Sequence, residues 1–79
     1  MTHVTSASLE ELAASVVEAA NAADGAPRWS LADVDLRAVF GGHVAIWRGG
    51  LGRWRATDVA PEGALEALHA EVIGSGAAP

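Results

Sequence analysis

Two glycine-rich breaks, separated by six residues, constrain this chain most. They punctuate the stretch "VDLRAVFGGHVAIWRGGLGRWRATD" (34–58). On either side of Gly41-Gly42, apolar and polar residues alternate. Val34, Leu36, Ala38 and Phe40 interleave with Asp35, Arg37 and Val39. Alternation of period two belongs to a half-buried strand, because successive side chains point to opposite faces. As a helix, the same apolar residues would be spread around the whole circumference. Ser30 and Asp33 offer the competing signal, a cap for a short helix, but the alternation after them favours a strand over 34–40.

Gly41-Gly42 reads as a two-residue hairpin turn, since glycine adopts the positive φ that tight turns need. "HVAIWR" (43–48) is then the second strand, "GGLG" (49–52) the next turn and "RWRATD" (53–58) the third strand. Register tests this scheme. A turn at Gly41-Gly42 sets Phe40 opposite His43, Ala38 opposite Ala45 and Leu36 opposite Trp47. A turn centred on Gly50-Leu51 sets Trp47 opposite Trp54 and Ala45 opposite Ala56. Directly opposed side chains share a face. One face therefore carries Val34, Leu36, Ala38, Phe40, Ala45, Trp47, Trp54 and Ala56. Two turns placed independently agree on an almost wholly apolar face, whereas a slip of one residue would scramble it.

Helices flank this sheet. Ser8 with Glu11 three residues later forms a capping box, and Leu9, Leu12, Ala13, Val16, Val17 and Ala20 follow at helical spacing. Gly25 and Pro27 end that helix. The second helix is "PEGALEALHAEVI" (61–73), with Pro61 in its first turn, Asp58 as a nearby cap, Leu65, Leu68 and Val72 inward, and Gly74 as its stop. The expected fold is α+β: a three-stranded antiparallel meander with two helices packed on one face, in the order α-β-β-β-α. Residues 1–79 form a single small domain, with flexible tails at 1–7 and 74–79.

A chain of 79 residues buries little surface, so each large side chain matters. Hydrophobic residues make up 51% of the chain, too many for disorder, but alanine supplies much of that share. A cross-strand Trp47–Trp54 pair therefore has a structural role as core. Burying roughly 150–250 Å² apiece corresponds to an upper bound of about 4–6 kcal/mol each.

The three segments differ in charge. Residues 1–24 hold four acids and no arginine, and residues 59–79 hold three acids and no arginine. All five arginines lie in 25–58, in a protein of net charge −5. Four of them, Arg37, Arg48, Arg53 and Arg55, share the second sheet face with Asp35, Val39, Val44, Ile46 and Thr57. In the expected register Arg37, Ile46 and Arg55 form one row, and Asp35, Arg48 and Arg53 another. Solvated faces of antiparallel sheets are common. A small apolar centre ringed by arginine also has the composition of protein interfaces. Arg37, Val39, Val44, Ile46, Arg48, Arg53 and Arg55 are therefore the candidate partner-binding residues. The expected partner is a protein, either a second copy in a homodimer or another acidic surface. The expected role is that of a small regulator, adaptor or antitoxin-like factor.

The other function classes are weaker. The α-β-β-β-α order is similar to that of double-stranded-RNA-binding domains, and "RGGLGRWRA" (48–56) resembles the sheet of arm-binding integrase domains. The resemblance implies nucleic-acid binding through the same face. The lysine-rich helix start of the first family and the basic charge of the second are absent. Four arginines on four phosphates would give a salt slope of only about −3.6. Glu66 and His69 have the spacing of half a carboxylate di-iron motif, but the first helix has no histidine to complete it. His43 and Asp58 face each other at the end of the sheet without an evident nucleophile. His3 lies in a tail, and "GGLG" joins two strands, unlike a phosphate loop. No catalytic, metal or cofactor site is expected. The chain has no cysteine, no basic-then-apolar start and no run of about 20 apolar residues, which fits a cytoplasmic protein. Its alanine and arginine bias fits a high-GC bacterial or phage origin.

Overall fold

The computed structural model describes residues 6–25, 27–49 and 53–76. The chain runs α1 (Ser6–Asp24), a single 3₁₀ turn (Leu31–Asp33), β1 (Val34–Val39), β2 (Gly42–Trp47), β3 (Arg55–Asp58) and α2 (Pro61–Gly76). The strands form one antiparallel sheet in the order β1-β2-β3. This is the α+β meander read from the alternation. Both signals around Ser30 are used in succession. The Asp33 N–H donates to the Ser30 carbonyl (2.9 Å) and closes the 3₁₀ turn, the Ser30 N–H donates in return to the Asp33 carboxylate (3.0 Å), and the strand begins at the next residue.

The β2–β3 register is the expected one, with Ala45 opposite Ala56 and the Trp47 N–H donating to the Trp54 carbonyl at 3.0 Å. The β1–β2 register is displaced by two residues. Leu36 lies opposite Ala45 and Val34 opposite Trp47, and the turn is Phe40-Gly41. The two glycines explain the shift, because they do different jobs. Gly41 takes the positive φ of the turn (+88°). Gly42 is already in β2, where a Cβ would strike the Asp58 carbonyl oxygen. A slip of two preserves the identity of each face but moves residues along it. Phe40 thereby leaves the inner face for the turn, and Ala38 is exposed.

The core lies between the inner face and the helices. α2 crosses β2 and β3, while α1 packs chiefly on α2 and meets the sheet at β1. Val16 and Ala20 of α1, Ala45 of β2, and Ala64, Leu65, Leu68 and Val72 of α2 are essentially inaccessible to solvent. The small Ala45 and Ala64 leave room for α2 to lie close to the sheet. The expected tryptophan pair is present, with ring centroids 6.2 Å apart. Trp29 joins it edge-on, 5.6 Å from Trp47.

Asn21, on the last turns of α1, holds Trp29 in place. Its side-chain oxygen accepts from the N–H groups of Arg28 (2.9 Å) and Trp29 (2.8 Å), and its amide donates to the Trp29 carbonyl (3.2 Å). Gly25 ends α1 in the left-handed conformation (φ +82°), with its N–H bonded to the Asn21 carbonyl.

The helix limits differ from the sequence reading. α1 includes Ser6 and Ala7, so Ser8, the expected cap, lies inside the helix. α2 continues through Gly74 to Gly76, because an exposed glycine weakens a helix without terminating it. Asp58 caps α2 less directly than expected. Its carboxylate accepts the Val59 N–H and lies against Gly63, leaving no space there for a Cβ. Of the expected tails, 6–7 and 74–76 are helical, and the rest, like residues 50–52 of the second turn, lies outside the described residues.

Candidate functional site

The outer sheet face is built by the observed register. Arg37, Val44 and Thr57 form one row, and Asp35, Ile46 and Arg55 the next. These replace the expected rows Arg37–Ile46–Arg55 and Asp35–Arg48–Arg53, because β1 has moved by two residues. Arg48 follows β2, and Arg53 precedes β3. Asp35 becomes the centre of the charge pattern. Its Oδ2 accepts from Arg37 Nε at 2.8 Å and from Arg48 at 3.4 Å. Both arginine side chains are more than half exposed, so these pairs contribute little stability. Arg53 and Arg55 are exposed and make no ion pair among the described residues.

The apolar members differ in exposure. Val44, on the central strand between Arg37 and Thr57, is only 4% exposed. It supports the face and offers little area to a ligand. Ile46 is half-buried and opens on a shallow concavity shared with Arg48, Arg53 and Arg55. Val39 is 46% exposed and lies at the far end, beside the turn. Six of the seven candidate residues are thus accessible on one face, and Val44 lies beneath them.

At the turn end, Phe40 is fully exposed, and Val39 and Val59 are exposed beside it around a hollow of about 420 Å³. Sequence reasoning assigned Phe40 to the core, and a two-residue register shift was enough to expel it. His43 and Asp58 do lie opposite each other. However, His43 Nδ1 is 2.9 Å from the Val59 carbonyl and the Asp58 carboxylate binds the Val59 N–H. Each is therefore engaged with the backbone, and no His43–Asp58 hydrogen bond forms among the described residues.

A third concavity, about 620 Å³, runs between α1 and α2 past Ser15, Glu18, His69 and Ile73. Glu66, the expected neighbour of His69, is exposed and outside this groove. Among the described residues no three metal-capable side chains come together, and no helix is long and apolar enough to cross a membrane. No protein-family model, curated protein or solved structure matches the chain.

Sequence reasoning also missed Asn21 as the anchor of the α1–β1 linker. A faint signal exists. Asparagine is unfavourable inside helices because its side chain competes for backbone groups, so one placed four residues before a helix-ending glycine can serve the following loop.

Proposed function

We propose that this protein is a non-enzymatic protein-binding module, a regulator, adaptor or antitoxin-like factor, that engages an acidic protein surface through the outer sheet face. The observation that supports this reading is the pair Arg53 and Arg55. They make no ion pair among the described residues and flank the half-buried Ile46, in a protein whose net charge is −5. Unneutralised arginine beside apolar surface supplies both charge-assisted hydrogen bonds and desolvated area to a partner. The same observation weakens the nucleic-acid alternative. Asp35 offsets one of the four arginine charges, so about three phosphates remain to be neutralised, for a salt slope near −2.7.

The test uses the full chain and Arg53→Glu/Arg55→Glu as parallel baits, with circular dichroism to verify that both fold. A protein recovered by the wild type and lost with the double variant supports the reading. Identical recovery by both baits refutes the assignment of this face. Nuclease-sensitive recovery, or matching affinity for a labelled DNA duplex, transfers the face to nucleic acid.

A further inference from the structure

We infer that the free edge of β1 pairs antiparallel with β1 of a second copy, centred on Leu36, to form a twofold-symmetric dimer with a continuous six-stranded sheet. This inference concerns the sheet edge; it shares Asp35 and Arg37 with the outer face but does not rest on Arg53 and Arg55, which carry the outer-face reading. The first observation is the phase of the main-chain hydrogen bonds. The Arg48 N–H donates to the Asp33 carbonyl (2.7 Å), which makes odd-numbered residues of β1 the ones bonded to β2. The even-numbered residues Val34, Leu36 and Ala38 then direct their main-chain groups away from the sheet. Of these, only the Val34 N–H is already engaged, by the Leu31 carbonyl. An unpaired edge of this kind is a template for another strand.

Self-pairing must bring even residues opposite even residues, and only a few registers do so. Centring on Asp35 sets two carboxylates face to face. Centring on Arg37 does the same with two guanidinium groups. Centring on Leu36 places Asp35 opposite the partner's Arg37, and Arg37 opposite the partner's Asp35. Opposite charges in cross-strand pairs attract and like charges repel, so of these three registers the charges favour the one centred on Leu36. Leu36 then exchanges both main-chain bonds with the partner's Leu36, and each Ala38 N–H donates to the partner's Val34 carbonyl.

The exposed apolar residues support the same arrangement independently. In the Leu36-centred register Phe40 comes level with the partner's Ala32, next to the partner's Leu31. Phe40 is fully exposed and Leu31 is 47% exposed, so these two side chains stand at opposite ends of the β1 edge and are brought together by the twofold. That axis is normal to the sheet and keeps both helix layers on one side. The other edge, β3, lacks this complementarity. It has four residues, and self-pairing about Ala56 would oppose Arg55 with Thr57.

Charge exchange tests the proposal. Sedimentation of the wild type across a wide concentration range is expected to show a monomer–dimer equilibrium. Asp35→Arg and Arg37→Asp, each folded by circular dichroism, are each expected to weaken dimerisation by about tenfold or more. Asp35→Arg/Arg37→Asp restores opposite charges and is expected to recover dimerisation. A mixture of the two single variants is expected to form the heterodimer. A wild type that stays monomeric throughout overturns the inference. So does a dimer that ignores the single substitutions, or one that the double exchange fails to restore.

Discussion

The two ends of the sheet treat aromatic side chains in opposite ways. At one end Trp47 and Trp54 are 4% and 9% exposed, and Trp29 packs edge-on against Trp47. At the other end Phe40, the only phenylalanine, is fully exposed in a turn beside Val39 and Val59. Residue type does not separate the two cases, because both are large and apolar. Position along the strand does. Trp47 lies on the central strand, on the face that α2 covers, and Phe40 lies one residue beyond β1. The helices decide which aromatics become core, and an aromatic beyond their reach is left exposed.

The largest expected effect lies at the tryptophan end. Trp47→Ala removes the ring that meets both Trp29 and Trp54 and is expected to destabilise the protein by about 3–5 kcal/mol. Urea denaturation measures this directly. A loss below about 1 kcal/mol would mean that the tryptophan end is no more a core than the phenylalanine end.

Asn21→Ala comes next. It leaves two main-chain N–H groups without their acceptor and frees Trp29 from α1. The expected loss is about 1–3 kcal/mol. Asn21→Asp keeps the acceptor and loses only the donor to the Trp29 carbonyl, so it is expected to fall between the wild type and the alanine variant. If both variants melt with the wild type, the linker carries no stability and Trp29 is held by packing alone.

The glycine pair tests why the two ends differ. Gly41→Ala forces a positive φ on an L-residue and is expected to destabilise by about 1–2 kcal/mol. Gly42→Ala is expected to be at least as harmful, for a different reason: its Cβ meets the Asp58 backbone. The turn expected from sequence, Gly41-Gly42, would instead make both substitutions suffer from φ alone. Their backbone amide shifts distinguish the cases, since only Gly42→Ala should disturb Asp58 and Val59.

These residues show which parts of the fold were legible in the sequence. Alternation identified the face of every strand residue, because parity survives any even shift. It placed Trp47 against Trp54, where the arginines and tryptophans leave one sensible pairing. It misplaced Phe40, because Phe-Gly and Gly-Gly are both acceptable turns and the deciding contact, Gly42 against Asp58, joins residues sixteen positions apart. The outer arginines were legible as a set. Their division was legible in part: Arg37 lies two residues from Asp35 on one strand and the expected register already set Arg48 opposite Asp35, whereas the observed register makes Arg48 reach Asp35 diagonally while Ile46 faces it. Asn21 was invisible to patterns of hydropathy, because its partners lie in an irregular linker.

The smallest expected effect on stability belongs to Phe40→Ser, and it sharpens the contrast between the two ends most. A side chain fully exposed in the folded chain loses no burial when truncated, so folding stability at low protein concentration should change by less than about 0.5 kcal/mol. Serine is also at home in a turn, where Phe40 needs no positive φ. At high concentration the same substitution removes the contact that the β1 dimer would make with the partner's Leu31, so the wild type and the variant should separate as concentration rises. Two results would contradict this account. A destabilisation above about 1 kcal/mol at low concentration would place Phe40 on Val39 and Val59 within one chain, a second small core at the turn end. Identical behaviour at every concentration would leave the exposed ring without a role in self-association and confine any dimer to main-chain pairing along β1.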